Sequence, residues 1–358
     1  MFIPVVELAF LFFFSFSTLL LMRKIAKTIG LVDKPNERKL HSGSVPLVGG
    51  ISICLSLLYF ILNNTHLIPH SMLYAGSITI LVIVGALDDK YDIDYKFRFA
   101  LQGILSIVMM TQGHIELKTI GDVFGTGQVI TLGWFGYLVT VLAVIGAINA
   151  YNMVDGIDGL LGALSIVTFG GLGIMLAYDH QYKIAYMCLV MVVVIVPYIM
   201  MNLGLLGKQK KVFMGDAGSM LIGFTVIWFL LLSSQNGKNP PLRPITALWL
   251  IAVPLMDMAA IMIRRIKRGD SPFKPDREHL HHIFQRLGLS SKQTLVAISG
   301  IACTFAAIGI YSEMIGIPEY IMFYAFILCF ISYLYILSKI WRITSYIKKI
   351  KDRENITN

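Results

Sequence analysis

Charge is scarce in this 358-residue sequence: 14% of residues are Asp, Glu, Lys or Arg, against 56% hydrophobic. A water-soluble globular chain carries about 25% charged residues, because a surface in water needs polar cover. Mean hydropathy is +0.72. The shortage excludes a soluble enzyme, a disordered regulator and a coiled coil, and leaves an integral membrane protein. Cysteine is scarce too. Cys54, Cys188, Cys303 and Cys329 lie in apolar runs without a CxxC pair, so neither a disulfide framework nor a thiolate metal site is expected. The chain lacks a Walker A motif, a dinucleotide-binding glycine pattern and low-complexity segments. It also lacks the obvious inverted repeat that marks many secondary transporters.

Long apolar runs are what the sequence does have. A helix needs about 20 apolar residues to cross the hydrocarbon. Eleven runs qualify as candidates: 2–22, 46–63, 71–87, 99–113, 132–150, 160–178, 184–201, 217–234, 244–263, 294–311 and 319–338. Their apolar character is continuous and does not alternate, which predicts helices and not a transmembrane barrel. The fourth is short and interrupted by Gln102 and Gly103. Arg23 and Lys24 follow the first run instead of preceding it, so it reads as a span and not a cleaved signal peptide, with the N-terminus outside. On alternate connecting segments (23–45, 88–98, 151–159, 202–216, 264–293 and the tail from 339) lie 26 of the 30 Lys and Arg. By the positive-inside rule these segments face the cytoplasm. The net charge of +9 is thereby explained as orientation and the nucleic-acid reading falls. The expected architecture is an all-α polytopic membrane protein with about eleven spans: one membrane domain, 1–338, and a basic cytoplasmic tail, 339–358. The tail's Lys348-Lys349-Ile350-Lys351 suits anionic headgroups of the bilayer.

The acids and histidines are clustered on that same side. Asp88-Asp89 ends the third run, and Asp92 would lie one turn from both if the helix continued. Such a face suits Mg²⁺; a hydrated helix end is the competing reading. Asp155 and Asp158 are three apart, with Asn152 a turn earlier and Gly156 and Gly159 beside them. They read either as a ligand- or metal-binding face or as an acidic helix start, and unpaired carboxylates there call for a metal, a ligand or a basic partner from another loop. Asp216, between Gly215 and Ala217-Gly218, suits metal–phosphate at a helix start or a plain N-cap. His279, His281 and His282 stand among Arg and Lys without cysteine, which favours anion binding over Zn²⁺. In the first inner loop Lys39 and His41 run into Pro46-Leu-Val-Gly49-Gly50, an arrangement that suits a lipid phosphate but also ordinary topology. Asp257 is the one acid deep within a run; Arg264 or Arg265 is its expected partner, for function or for a structural ion pair.

Taken in order, Lys39-Leu-His41…Pro46-Leu-Val-Gly49-Gly50, Gly85-Ala-Leu-Asp88-Asp89, Asn149-Ala-Tyr-Asn152-Met-Val-Asp155-Gly-Ile-Asp158-Gly, Phe213-Met-Gly-Asp216-Ala-Gly-Ser219 and Asp276-Arg-Glu-His279-Leu-His281-His282 resemble the motifs of the polyprenyl-phosphate N-acetylhexosamine-1-phosphate transferases. The resemblance covers the chain from about Lys34 to His282. Ser271-Pro-Phe-Lys-Pro-Asp276 is similar to the UDP-GlcNAc branch of the family more than to the phospho-MurNAc-pentapeptide branch. Val32–Asn36, Tyr198–Asn202 and Pro254–Met258 are similar to Gram-negative members that use undecaprenyl phosphate. The resemblance implies an enzyme of the bacterial inner membrane, active on the cytoplasmic face. It would join UDP-GlcNAc to undecaprenyl phosphate with Mg²⁺ or Mn²⁺, for glycans of the O-antigen and enterobacterial common antigen type. It implies Asp216 as a metal ligand. Asp88 and Asp89 would serve metal binding, base catalysis or lipid-phosphate positioning. Asp155 and Asp158 would serve catalysis and nucleotide binding, and the three histidines the diphosphate and sugar. Asn202 is implied as a uridine contact and Arg265 as a diphosphate contact. Another UDP-HexNAc or phospho-MurNAc-pentapeptide is the alternative donor, and dimerisation is left open. A transporter or lipid flippase is the rival from another class; it would place charge at the midplane, where this sequence has almost none.

Overall fold

Each of the eleven apolar runs folds as helix. The computed structural model describes residues 4–33, 43–235, 237, 240–272 and 278–357, with side chains as far as 339. Among these residues the order is α1 (Val5–Ile29), α2 (Gly49–Asn63), α3 (Ser71–Tyr91), α4 (Tyr95–Gly113), α5 (Phe135–Met153), α6 (Leu160–Tyr178), α7 (Tyr182–Asn202) and α8 (Gly215–Ser234). Then come α9 (Pro244–Leu250), α10 (Ala252–Lys267), α11 (Leu280–Arg286), α12 (Ser291–Met314) and α13 (Glu319–Thr357). Two short antiparallel ladders, β1 (Val32–Asp33) with β2 (Val45–Pro46) and β3 (Thr119–Gly121) with β4 (Ile130–Thr131), and a 3-10 turn at Lys208–Lys210 complete it. The chain is an all-α polytopic membrane protein.

Among the described residues, eight helices are long and apolar enough to cross a membrane singly: α1, α3, α5 to α8, α12 and the first 21 residues of α13. The pair α9 and α10, bent by 84°, passes the same test only when taken together, as a broken span or a re-entrant loop. With 15 residues α2 is too short for that test, and α4 is not apolar enough. Of the expected eleven, eight pass singly on length and composition among the described residues, and nine if the bent pair is one span.

The bend shows why the run 244–263 is not one rod. Pro254 has no N–H to donate to the Leu250 carbonyl, and its ring would strike that carbonyl. The chain breaks at Ile251 (φ −113°, ψ 19°), and Thr168 of α6 donates its hydroxyl to the released Leu250 carbonyl at 3.2 Å. In lipid a freed carbonyl needs such a partner.

Helix α8 is the centre, its span entirely buried. Lipid provides little hydrophobic drive between helices, so close packing must supply the association. Small residues allow it. A Cβ on Gly50 of α2 would overlap the Gly218 backbone, one on Gly85 of α3 the Ala217 backbone, and one on Gly223 the Ile148 backbone of α5. Interhelical hydrogen bonds add to this: Tyr74 with Thr225 at 2.8 Å, Tyr151 with Thr168 at 2.6 Å, and Ser15 to the Val194 carbonyl at 2.8 Å. Each is worth about 0.6 kcal/mol in a membrane. The outer helices show their apolar side chains outward, as at Phe13, Val6 and Leu328. Lipid is the medium that makes that surface stable.

Candidate active site

Five of the six segments expected on the cytoplasmic side converge at one end of the bundle. There they line a cavity of about 880 Å³, a size suited to a nucleotide-sugar ligand. Seven aspartates are in its wall: 33, 88, 89, 92, 155, 158 and 216.

The described part of the segment between α1 and α2 braces this site from behind. Phe213 N–H donates to the Pro46 carbonyl at 2.9 Å, Gly49 N–H to the Phe213 carbonyl at 2.9 Å, and Gly50 N–H to the Met214 carbonyl at 3.1 Å. The Pro46-to-Gly50 motif is thus a backbone mould for the turn ahead of Asp216. Lys39 and His41, expected near a lipid phosphate, lie outside the described residues.

Helix α8 starts at Gly215, whose φ of 74° favours glycine. A side chain there would collide with the Asp89 carboxylate. Asp89 accepts from the Asp216 N–H at 2.8 Å (Oδ1) and the Ala217 N–H at 3.3 Å (Oδ2). The helix is capped by an acid from α3, and a carboxylate at that end is favoured by the helix dipole. Asp216 itself is no N-cap, because its side chain turns into the cavity wall. Its Oδ1 accepts from Asn152 Nδ2 at 2.5 Å and its Oδ2 from Arg98 Nη1 at 3.1 Å.

Arg98 also donates to Asp88 Oδ2 at 2.5 Å, and Ile93 N–H donates to Asp88 Oδ1 at 2.7 Å. Helix α3 ends at Tyr91, with Asp92 left-handed at φ 55°. The expected continuation, which would set Asp92 one turn above Asp88 and Asp89, does not occur. Asp92 reaches the cavity wall from a turn.

The pair Asp155 and Asp158 also departs from expectation. They lie on a turn between α5 and α6 and share no helical face. Gly159, at φ 78°, turns the chain into α6. Asp158 pairs with Lys211 Nζ at 2.6 Å, the basic partner from another loop that the sequence called for. The Asp155 carboxylate has no hydrogen-bond or ion-pair partner among the described residues. It opens onto the cavity yet sits low among massed protein. Loss of water there, then the charges of Asp216 and Asp158, push its carboxyl up to about 7.

Asn202 lines the cavity, but its amide is already engaged as a strut. Its Oδ1 accepts from Gly159 N–H at 2.5 Å and its Nδ2 donates to the Val212 carbonyl at 2.8 Å. It ties the 154–159 turn to the segment before Asp216.

Of the three histidines only His282 lines the cavity. His281 is buried, its ring against Gly156, where a Cβ would strike Nε2. Burial, then His282 and His279, push its imidazole down to about 3, so it is neutral. His279 is buried at the start of α11 and does not share a helical face with His282: its backbone is extended (φ −64°, ψ 154°) and its Nδ1 meets Asp257 Oδ2 at 2.9 Å. Asp257 thus pairs with His279, not with Arg264 or Arg265. Arg264 pairs with Glu278 at 3.2 Å. Arg265, expected at a diphosphate, is buried off the cavity wall and donates to the Pro272 carbonyl at 2.6 Å.

Sequence reasoning missed Arg98 and Lys211, counting them only as charges that orient the chain. The signal available was the need of clustered acids for cations; which cation answers which acid is a tertiary matter.

The comparisons with known proteins agree with this architecture. The profile described as glycosyl transferase family 4 matches residues 71–234, which hold every cavity acid named above except Asp33. The undecaprenyl-phosphate alpha-N-acetylglucosaminyl 1-phosphate transferase of Yersinia pestis is 50% identical over 97% of this chain and 95% of its own length. The proteins of the same name from Escherichia coli K12 and Pasteurella multocida are 49% identical (95% of this chain, 93% of theirs) and 51% identical (95% of each). With likeness end to end and the motif acids gathered in one cavity, the chain belongs to glycosyl transferase family 4.

Proposed function

We propose that this chain transfers GlcNAc-1-phosphate from UDP-GlcNAc to undecaprenyl phosphate at the cytoplasmic face of the bacterial inner membrane, releasing UMP. The observation that carries the reading is the acid-rich cavity at the charged end of a membrane bundle, in a chain about half identical to transferases of that name. Both substrates are anionic, and seven aspartates would repel them without added cations.

A hard divalent ion, Mg²⁺ or Mn²⁺, fits the oxygen-rich donor set. Among the described residues no three acid or histidine side chains already form a metal cage. Mg²⁺ commonly takes one or two carboxylates and completes its shell with water and substrate phosphate. Asp216 and Asp88 are the residues that would hold it, since Asp89 is engaged by the amides of α8. The ion would supply charge neutralisation for the diphosphate.

In the reaction a lipid-phosphate oxygen bonds to the sugar-bearing phosphorus and the bond to the bridging oxygen breaks, so UMP leaves. Arg98 stands between Asp88 and Asp216 and offsets the charge of these two wall acids, and His282 faces the cavity. Electrostatic stabilisation is the dominant need in phosphoryl transfer. A phosphate monoester is already ionised at neutral pH, so direct attack needs no strong base. Asp155, whose carboxyl is pushed up to about 7 chiefly by loss of water around it, opens onto the same cavity.

The test is UMP release from UDP-GlcNAc by the purified chain with undecaprenyl phosphate and Mg²⁺. Release that requires the lipid supports the reading, and absence of release defeats it. UMP trapped on the protein without the lipid would replace direct attack by a covalent route. Asp216→Asn should lose at least about 100-fold in kcat; full activity would remove Asp216 from the metal site.

A further inference from the structure

A buried carboxylate is costly unless its oxygens are met by donors, and Asp257 is 1% exposed. Its donors come from two other elements. Oδ1 accepts from the Tyr333 hydroxyl of α13 at 2.6 Å and from the Leu280 N–H at 3.0 Å; Oδ2 accepts from His279 Nδ1 at 2.9 Å. One side chain of α10 therefore caps α11, fixes the first histidine of the motif, and is itself fixed by the last membrane helix. A carboxylate oxygen facing Nδ1 favours the His279 tautomer that carries its proton there.

His279 is buried and outside the cavity wall, so it has no direct route to a ligand there. It is nonetheless connected. Its ring lies parallel to His281 (centroids 5.7 Å, 2°), His281 packs on His282 (4.2 Å), and His282 lines the cavity. The His281 Nε2 is buried without a hydrogen-bond partner and faces Gly156, between Asp155 and Asp158. A shift of His279 would carry His281 into the backbone that holds these two aspartates. Neighbouring cations are engaged elsewhere. Arg268 makes a two-pronged bond to Glu278 (2.9 and 2.8 Å), which Arg264 joins, pinning the residue before His279.

We infer that Asp257 and Tyr333 are positioning residues for the transfer reaction. They lock His279 in one orientation and tautomer, and through its stack they set His281 against the Asp155–Asp158 turn and His282 at the cavity wall. The role rests on the transferase reading above, and Tyr333 lies far outside the 71–234 region that the family profile spans.

The experiment uses the purified full-length chain with UDP-GlcNAc, undecaprenyl phosphate and Mg²⁺. Wild-type turnover is measured first, so that its absence counts against the transferase reading and not against the positioning role. Asp257→Asn keeps the shape and can still accept on Oδ1, but presents an N–H to His279 and reverses its tautomer. It should lower kcat about 10- to 100-fold, the range seen when the partner orienting a functional histidine is lost, with KM for UDP-GlcNAc within about threefold. Tyr333→Phe deletes one hydroxyl and should lower kcat about fivefold. It remains informative if Asp257→Asn fails to fold. In a His279→Ala background neither substitution should cost anything more, because both act through that ring. Wild-type kcat in folded Asp257→Asn or Tyr333→Phe would overturn the inference. So would losses that multiply with that of His279→Ala.

Discussion

Replacing Asn202 by Ala separates two roles that predict different kinetics. As a uridine contact, the side chain would add donor affinity, and its loss would raise KM with stability unchanged. The structure makes it a strut, 2% exposed, whose amide satisfies Gly159 N–H and the Val212 carbonyl. Truncation orphans both backbone groups. Each orphan costs about 1–3 kcal/mol when buried. Because the cavity is adjacent and water can reach the gap, the lower end applies, giving about 2 kcal/mol in total. At roughly 2 °C per kcal/mol for a large domain, the unfolding midpoint should fall by about 4 °C. Kinetically, the turn bearing Asp155 and Asp158 loses its tie to the Asp216 segment, so kcat should drop more than KM rises. Thermal unfolding in detergent beside steady-state kinetics decides the matter. A raised KM with unchanged kcat and midpoint would refute the strut.

Three further outcomes follow from the same geometry. Arg98→Gln leaves Asp88 and Asp216 without the cation between them. The pair is partly exposed, so the loss in chelator should be about 1–2 kcal/mol, below the fully buried figure. Mg²⁺ should then raise the unfolding midpoint more in the variant than in wild type; an equal rise would refute metal binding at these acids. Gly156→Ala sets a methyl against the His281 ring and should cost about 1–3 kcal/mol by overpacking and at least about tenfold in kcat, measured against a Gly170→Ala control, where a Cβ meets nothing within 4 Å. His281 titrates about 3 when folded against 6.5 ordinarily. The unfolded chain thus binds more protons between those values, and this residue makes stability fall as pH drops through the window, by up to about 1.4 kcal/mol per unit. His281→Gln should flatten that slope in pH-dependent unfolding; an unchanged slope would show that the ring is not held neutral.

Much of the fold is legible in the sequence because a membrane reduces folding to a one-dimensional pattern. Apolar length reports a helix wherever backbone groups must be satisfied within the segment. The failure at 244–263 is instructive. Hydropathy averages over Pro254, but the ring acts on one carbonyl, Leu250, and the resulting 84° bend persists because Thr168 on another helix accepts the consequence. In the other direction, α13 runs past the apolar stretch to Thr357, since helix continuation depends on backbone propensity and not on the lipid boundary.

The candidate site divides along a similar line. Chemistry-bearing residues announce themselves by type: the wall of the cavity holds Asp88, Asp89, Asp155, Asp158 and Asp216, all marked in advance. Roles do not, because a role is set by which partner reaches a side chain. Asp88 and Asp89 are adjacent in sequence, yet one meets Arg98 and the other the amides of α8. His279 and His282 are three residues apart, yet one faces Asp257 in the interior and the other the cavity. The strut Asn202 reads in sequence as one more polar residue near a nucleotide. What distinguishes contact from support is whether the polar atoms of a side chain are already taken. By that criterion Asn202, His279 and Asp257 are support and Asp89 is largely so; Asp88 and Asp216 share Arg98, a cation that a metal ion can replace; and the Asp155 carboxylate, unpartnered among the described residues and open to the cavity, is left for substrate to engage.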